Sequence, residues 1–162
     1  MRVIVTGATG SLGQALLVRL REENYSVLGL GRSQRKMDHL TSQGFEMKQC
    51  DITNLQQVND CISGGDIVIH CAAFAAPFGS KKKFFETNVE GTKNIFTAAK
   101  NSSVSRIVAI SSASVFDGSS HERPHGDQTP NLQFRPRHPY GASKFDAEMV
   151  CHSNEKDSWI GL

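Results

Sequence analysis

Apolar positions in this chain fall into short runs separated by amphipathic stretches. Arg2-Val3-Ile4-Val5-Thr6 is β-branched and runs into glycine, which predicts a buried strand. Ser11 to Glu23 carries Leu12, Ala15, Leu16, Arg19 and Leu20 at helical spacing, with charge collecting at its far end. Ser26 to Leu30 reads as a second strand, Gln34 to Gln43 as a helix stopped by Gly44, Phe45 to Cys50 as a third strand and Asn54 to Ile62 as a short helix. Asp66 to Cys71, apolar on both faces, is a fourth strand. A long helix is expected from Lys82 to Lys100, with Asn88, Thr92, Ile95, Phe96 and Ala99 down one face. Arg106 to Ser111 is a fifth strand, and a polar loop fills Phe116 to Pro139. Pro139 to His152 is a final helix opened by proline, and Ser158 to Leu162 starts a sixth strand. Strands without period-2 patterning, alternating with helices, predict an α/β fold: a doubly wound parallel sheet covered on both faces, of five strands plus the start of a sixth.

Composition narrows the class. The chain has 162 residues, 38% of them hydrophobic, and its 18 Lys+Arg against 16 Asp+Glu leave a formal charge of +2. A chain of this size buries roughly 68–70% of its unfolded surface, enough for one core. The balanced charge argues against a nucleic-acid partner. No run reaches the ~18 apolar residues of a membrane span, and Met1-Arg2 leads directly into a strand without a signal peptide, so a cytoplasmic location is expected. Cys50, Cys61, Cys71 and Cys151 form no C-x-x-C pair and read as buried reduced thiols. His121 and His125 flank Arg123-Pro124, which is no helical ligand pair, and no metal site is expected.

Thr6-Gly7-Ala8-Thr9-Gly10-Ser11-Leu12-Gly13 lies between the first strand and the first helix. Gly7 allows the tight turn, Gly10 lets backbone approach a pyrophosphate, and Gly13 lets helix and strand pack closely. The helix start presents free N–H groups and the positive dipole end to the phosphates. A dinucleotide fold usually sets an acid at the end of the second strand to bond the ribose 2′-OH. Here Gly31, Arg32 and Ser33 stand there. Without a carboxylate, a 2′-phosphate is not repelled, and Arg32 offers a fork to bind it. The alternative is that Arg32 stacks on adenine. NADP is expected in preference to NAD.

Tyr140 and Lys144 stand four residues apart, on one face of the last helix. A phenol with its ordinary pKa of ~10 is a poor base at neutral pH. A cation held close stabilises the phenolate, which proton exchange with an alcohol or carbonyl requires. Ser111-Ser112 ends the fifth strand, so the hydroxyls, the pair and the glycine loop converge beyond the carboxyl ends of the strands.

Together these segments resemble the extended short-chain dehydrogenase/reductase family, over essentially the whole chain. Thr6 to Gly13 is similar to its T-G-x-x-G-x-x-G loop, and Asp51-Ile52 to its adenine-contacting acid and neighbour. His70-Cys71-Ala72-Ala73 resembles H-x-A-A/G, which lines the cofactor, with Phe74 following. Asn88-Val89-Glu90-Gly91-Thr92 resembles N-V-x-G-T, whose Asn supports the active site, and Ser111 to Phe116 resembles S-S-x-x-V-Y/F. Counting back from Val115 makes Ser112 the catalytic serine.

The resemblance implies a Rossmann-type dinucleotide-binding domain over residues 1–162. It implies that the cofactor is held by Gly7, Thr9, Gly10, Ser11, Leu12, Gly13, Arg32, Asp51, Ile52, Ala72, Ala73, Phe74, Asn88, Tyr140 and Lys144. It also implies that Tyr140 exchanges the proton of a small-molecule alcohol or ketone, that Lys144 assists it and holds the nicotinamide ribose, and that Ser112 bonds the substrate oxygen. Phe116-Asp117-Gly118 leans to the 3β-hydroxysteroid dehydrogenase branch, with nucleotide-sugar epimerases as the alternative. Family members continue into a C-terminal substrate-binding region. The chain therefore reads as truncated, with a catalytically silent cofactor-binding product as a further alternative. An open sheet edge and the side chains of Phe145, Met149 and Trp159 left without cover predict instability or homo-oligomers.

Overall fold

The structure, a computed structural model, describes residues 1–63, 67–102, 104–116, 135–154 and 159–161, the last three as backbone only. The strands are β1 (Arg2–Thr6), β2 (Ser26–Gly31), β3 (Glu46–Gln49), β4 (Ile67–His70), β5 (Arg106–Ile110) and β6 (Trp159–Gly161). The helices are α1 (Ser11–Glu22), α2 (Gln34–Ser42), α3 (Leu55–Cys61), α4 (Lys81–Phe85), α5 (Gly91–Asn101) and α6 (Pro139–His152). All six strands pair in parallel in the order β3-β2-β1-β4-β5-β6, the doubly wound sheet expected from the alternation of strands and helices. The chain steps outward from β1 to β3, then returns to the far side of β1 with β4. The order reverses between β1 and β4, and ligands of open parallel sheets bind outside the carboxyl ends of strands at such a reversal.

Both faces of the sheet are covered, and the alternation along β1 shows how. Ile4 packs with Val68, Ile107, Val58, Ile95 and Phe96 on the side of α3 and α5. Val3 and Val5 pack with Leu17 of α1, Leu40 of α2 and Phe45 on the other. Each of these fully buried side chains contributes about 1.5–3 kcal/mol relative to exposure.

Three elements differ from their sequence reading. In α1 the buried positions are Gly13 and Leu17, while Leu12 is 48% exposed, because the helix begins inside the glycine loop and lays Gly13 against the strand. β3 is an edge strand with largely exposed side chains. The single long helix is interrupted: a π-helical turn, Glu86–Glu90, joins α4 to α5. Such turns admit an extra residue into the helical register and re-aim the side chains they carry. Asn88, Thr92, Ile95, Phe96 and Ala99 are all buried as expected. Asp66, the residues 117–134 with His121 and His125, and the side chain of Trp159 lie outside the described residues. Phe145, expected to want cover, is already buried within the chain. No described helix is long and apolar enough to cross a membrane.

Candidate active site

The loop after β1 opens a cleft at the reversal point. Gly7 has φ +66, and a Cβ there would lie 2.7 Å from both Cα and N of Ala72. A Cβ on Gly13 would lie 2.6 Å from Ala8 Cα. Both glycines are therefore required by the protein's own packing. Gly10 differs: its Cβ would meet only Gly7 O, at 3.3 Å, so the space above it is open to a ligand. Gly10 also caps α1 without a side-chain bond, and the first turn, beginning Ser11-Leu12-Gly13, holds no acid. Its N–H groups are free for an anion.

The cleft has a volume of about 340 Å³, with Gly7, Thr9, Gly10, Arg32, Ile52, Ala72 and Ala73 in its wall. Ser33 and Cys71 also line it, as do Lys36, Cys50 and Thr87, which sequence reasoning missed. Lys36 follows Arg32 by four residues, and that spacing was the available signal. Gly13 lies beneath the floor, and Ser11 and Leu12 are exposed at the helix start. Asp51 accepts bonds from Thr53 N and Oγ1 at 3.0 and 2.8 Å, and its other oxygen stands 3.8 Å from the Arg32 guanidinium. Phe74 turns its ring onto Phe84, with centroids 4.8 Å apart, and enters the site through its backbone.

Asn88 supplies that backbone hold. It is 2% exposed and sits in the π-helical turn. Its Oδ1 accepts from Phe74 N at 2.7 Å, and its Nδ2 donates to Phe74 O at 3.2 Å and to Ser143 Oγ at 2.9 Å. Ser143 in turn donates to Tyr140 O at 2.7 Å. One side chain thus ties the segment after β4 to the first turn of α6. Gly141 lets that turn come close, since a Cβ there would lie 2.7 Å from Ser114 O.

A buried polar chain that the sequence did not reveal runs beneath the site. Ala72 N–H donates to Thr6 Oγ1 at 3.2 Å, and Thr6 Oγ1 lies 2.7 Å from His70 Nδ1. His70 Nε2 lies 3.1 Å from Thr92 Oγ1, which donates to Asn88 O at 2.7 Å. Thr92 spends its one proton on Asn88 O, so it accepts from His70, which places the ring proton on Nε2. His70 Nδ1 then accepts from Thr6. Burial, with the Lys144 charge as a second cause, lowers the His70 pKa to about 3 and keeps the ring neutral.

The candidate reacting set is less closely joined. Lys144 is buried and donates to Ile110 O at 2.6 Å. Burial lowers its pKa, and Cys151, Glu148 and Cys71 act in the opposite direction. The Tyr140 ring rests near Phe84, with centroids 6.2 Å apart. Ser112 Oγ lies 2.8 Å from Ser114 Oγ, and among the described residues no hydrogen bond joins it to Tyr140. Ser111, its neighbour, lines a separate small cavity. Cys50, Cys61 and Cys151 are buried; Cys71 is half-buried, its pKa raised to about 11 by burial. No cluster that could hold a metal occurs among the described residues.

The profile of the NAD dependent epimerase/dehydratase family matches residues 3–159. The chain is 34% identical over 155 residues to the 2-alkyl-3-oxoalkanoate reductase of Shewanella oneidensis, covering 95% of this chain and 39% of that one. A short-chain dehydrogenase/reductase superfamily protein from Agrobacterium tumefaciens with bound NAD superposes with a TM-score of 0.80 at 24% identity, over 99% of this chain and 48% of that one. The yeast methylglyoxal/isovaleraldehyde reductase Gre2 complexed with NADPH superposes with a TM-score of 0.75 at 26% identity, over 100% of this chain and 56% of that one. The chain thus spans less than half the length of the Shewanella relative.

Proposed function

Because the chain belongs to the NAD dependent epimerase/dehydratase family, we propose that it binds NADP(H) in preference to NAD(H) and carries the reacting residues for hydride exchange at a secondary alcohol or ketone. The observation that carries this reading is the placement of Lys144. It stands one helical turn after Tyr140 and is bonded to the last residue of β5, the strand that leads into Ser111 and Ser112.

The cleft fits a nicotinamide dinucleotide on its own chemistry. The open space over Gly10 and the free N–H groups of α1 suit a pyrophosphate. Arg32, Ser33 and Lys36 bring two cations and a hydroxyl to the end of β2, which carries no acid of its own, and the Asp51 carboxylate stands 3.8 Å from the Arg32 guanidinium. Ile52, with Asp51 beside it, would border the adenine, and Ala72 and Ala73 the central part of the cofactor. Nicotinamide, when bound, supplies the hydride chemistry. Tyr140 Oη gives a proton to the substrate oxygen or takes one from it, and Lys144 Nζ stabilises the phenolate. Ser112 Oγ turns from Ser114 to bond the same oxygen, and Asn88 holds the turn that carries Tyr140.

Ketone reduction is favoured over nucleotide-sugar epimerisation by the reductase at 34% identity and the NADPH-bound reductase at 26%. The hydroxysteroid leaning rests largely on Asp117 and Gly118, outside the described residues, and carries no part of this reading. Fluorescence titration with NADPH and NADH tests the cofactor. Arg32→Ala is expected to weaken NADPH tenfold to a hundredfold, about 1.5–3 kcal/mol, and NADH far less. Equal losses would point to stacking on adenine. Turnover of a 2-alkyl-3-oxo acid with NADPH should vanish in Tyr140→Phe while NADPH still binds, and retained turnover overturns the mechanism.

A further inference from the structure

A second, far smaller cavity lies among the buried groups around Lys144. It measures about 10 Å³, and His70, Thr92, Ser111, Lys144, Glu148 and Cys151 contribute to its wall. That is room for one water molecule, provided polar partners are present. Two are. Ser111 Oγ and Glu148 Oε2 are both shielded from solvent and have no hydrogen-bond partner among the described residues. Glu148 is only 4% exposed, and buried oxygens left unpaired are costly.

Glu148 follows Lys144 by four residues, which sets both on one face of α6. Lys144 needs such a neighbour, because its one hydrogen-bond partner among the described residues, Ile110 O, carries no charge. His70 and Cys71 face it from the end of β4, and Tyr140, Glu148 and Cys151 belong to its own helix. Among the described residues, the elements packed on α6 bring no other buried acid. The π-helical turn holds Glu86 and Glu90, both substantially exposed and paired with Lys82 and Lys93. α4 adds exposed lysines, and neither α5 near the cavity, the turn Ala113–Phe116 nor β6 adds an acid. His70 is neutral, and burial holds the Cys71 and Cys151 thiols up at about 11 and 12, so neither is an anion at neutral pH. Asp146, also on α6, is turned to Arg135, so Glu148 is the buried acid beside Lys144 among the described residues.

We propose that one water molecule occupies this cavity, bonded to Glu148 Oε2 and Ser111 Oγ, and that Glu148 is a positioning residue that holds the positive charge of Lys144 inside the fold. It acts on the reaction only through Lys144, so its relevance to turnover rests on the reading above; its effect on Lys144 does not. The carboxylate offsets the burial that disfavours the ammonium, and the bridged water fixes the carboxylate against the end of β5. Ser111 thereby has a task distinct from that of Ser112.

The test is a proton titration of the whole 162-residue chain, with lysine side chains labelled with carbon-13 and followed by NMR. The Lys144 signal is assigned by its loss in Lys144→Met. Glu148→Gln is expected to lower the Lys144 midpoint by about one pH unit or more. The exposed-site control Glu90→Gln should leave it in place. An unchanged midpoint in folded Glu148→Gln overturns the role of Glu148. A high-resolution crystal structure of the unaltered chain reads the water directly, needing no variant: density bonded to both oxygens supports it, and a dry cavity overturns it. Neither measurement uses cofactor or substrate, so failure to reduce a ketone would count against the proposed activity alone.

Discussion

The start of α1 and the start of α6 both serve the carboxyl edge of the sheet, and they are built by opposite means. At α1 side chains are absent: Gly7 and Gly13 let backbone meet backbone, Gly10 leaves open space, and the groups offered to a ligand are main-chain N–H bonds. At α6 side chains do the positioning. Asn88 reaches from the π-helical turn to Ser143, Ser143 bonds Tyr140 O, and Lys144 is tied to Ile110 O. A phosphate can be held by any backbone of the right shape, whereas moving a proton needs a particular phenol beside a particular cation. The first kind of site should therefore fail by overlap, and the second by loss of a partner.

The largest expected effect tests the overlap side. Gly7→Ala places a Cβ within 2.7 Å of the Ala72 backbone at a left-handed φ. Strain and overpacking together should cost roughly 3 kcal/mol or more. Gly10→Ala is the contrast, since its Cβ meets only Gly7 O at 3.3 Å. Chemical denaturation should find Gly10→Ala within about 1 kcal/mol of the parent, as expected for a change that opens no cavity and buries no polar group. NADPH titration should nevertheless find it weakened. Equal destabilisation by both variants would remove the distinction between a packing glycine and a ligand-facing one.

Next comes the partner side. Asn88→Ala strips the half-buried Phe74 N–H of its acceptor and the buried Ser143 of a donor. Each buried group left unsatisfied costs about 1–3 kcal/mol, so a total of roughly 2–4 kcal/mol is expected in the same denaturation measurement. A loss below 1 kcal/mol would mean that α6 holds its place without the π-helical turn.

These two contrasts also explain what could be read beforehand. The glycine loop and the Tyr140–Lys144 pair were legible because the chemistry dictates both residue type and spacing. The inner face of α1 was misread, since the position that touches the strand is Gly13, which carries no hydrophobic signal. The interruption at Glu86–Glu90 was invisible, because one added residue in a helix alters its register and not its composition. Thr6, His70 and Thr92 come from β1, β4 and α5, so their polar chain exists only once the sheet has brought these elements together.

That chain gives a prediction in pH. Folding lowers the His70 pKa from 6.5 to about 3. The unfolded chain then binds more protons between those values, so stability is complete above pH 6.5 and is lost as pH falls toward 3. The slope is about 1.4 kcal/mol per pH unit, or roughly 2 kcal/mol lost by pH 5. Denaturation midpoints at pH 7, 6 and 5 measure it, and His70→Gln should flatten the dependence at some expense in stability at pH 7. A slope unchanged in that variant would assign the acid sensitivity to other groups.

The smallest effect separates the buried hold on α6 from a surface one. Arg135, just before the helix, donates from Nε and Nη2 to the two carboxylate oxygens of Asp146, at 2.8 and 2.5 Å. The geometry is bidentate, yet the Arg135 side chain is 56% exposed and so is screened by water and salt. Arg135→Ala should therefore cost no more than about 1 kcal/mol, and the difference from the parent should shrink at high salt. Asn88 makes neutral bonds over similar distances and is expected to matter several times more, because its partners have no water to turn to. If Arg135→Ala were as damaging as Asn88→Ala, and equally so at high salt, α6 would be held from the surface and its interior bonds would be secondary.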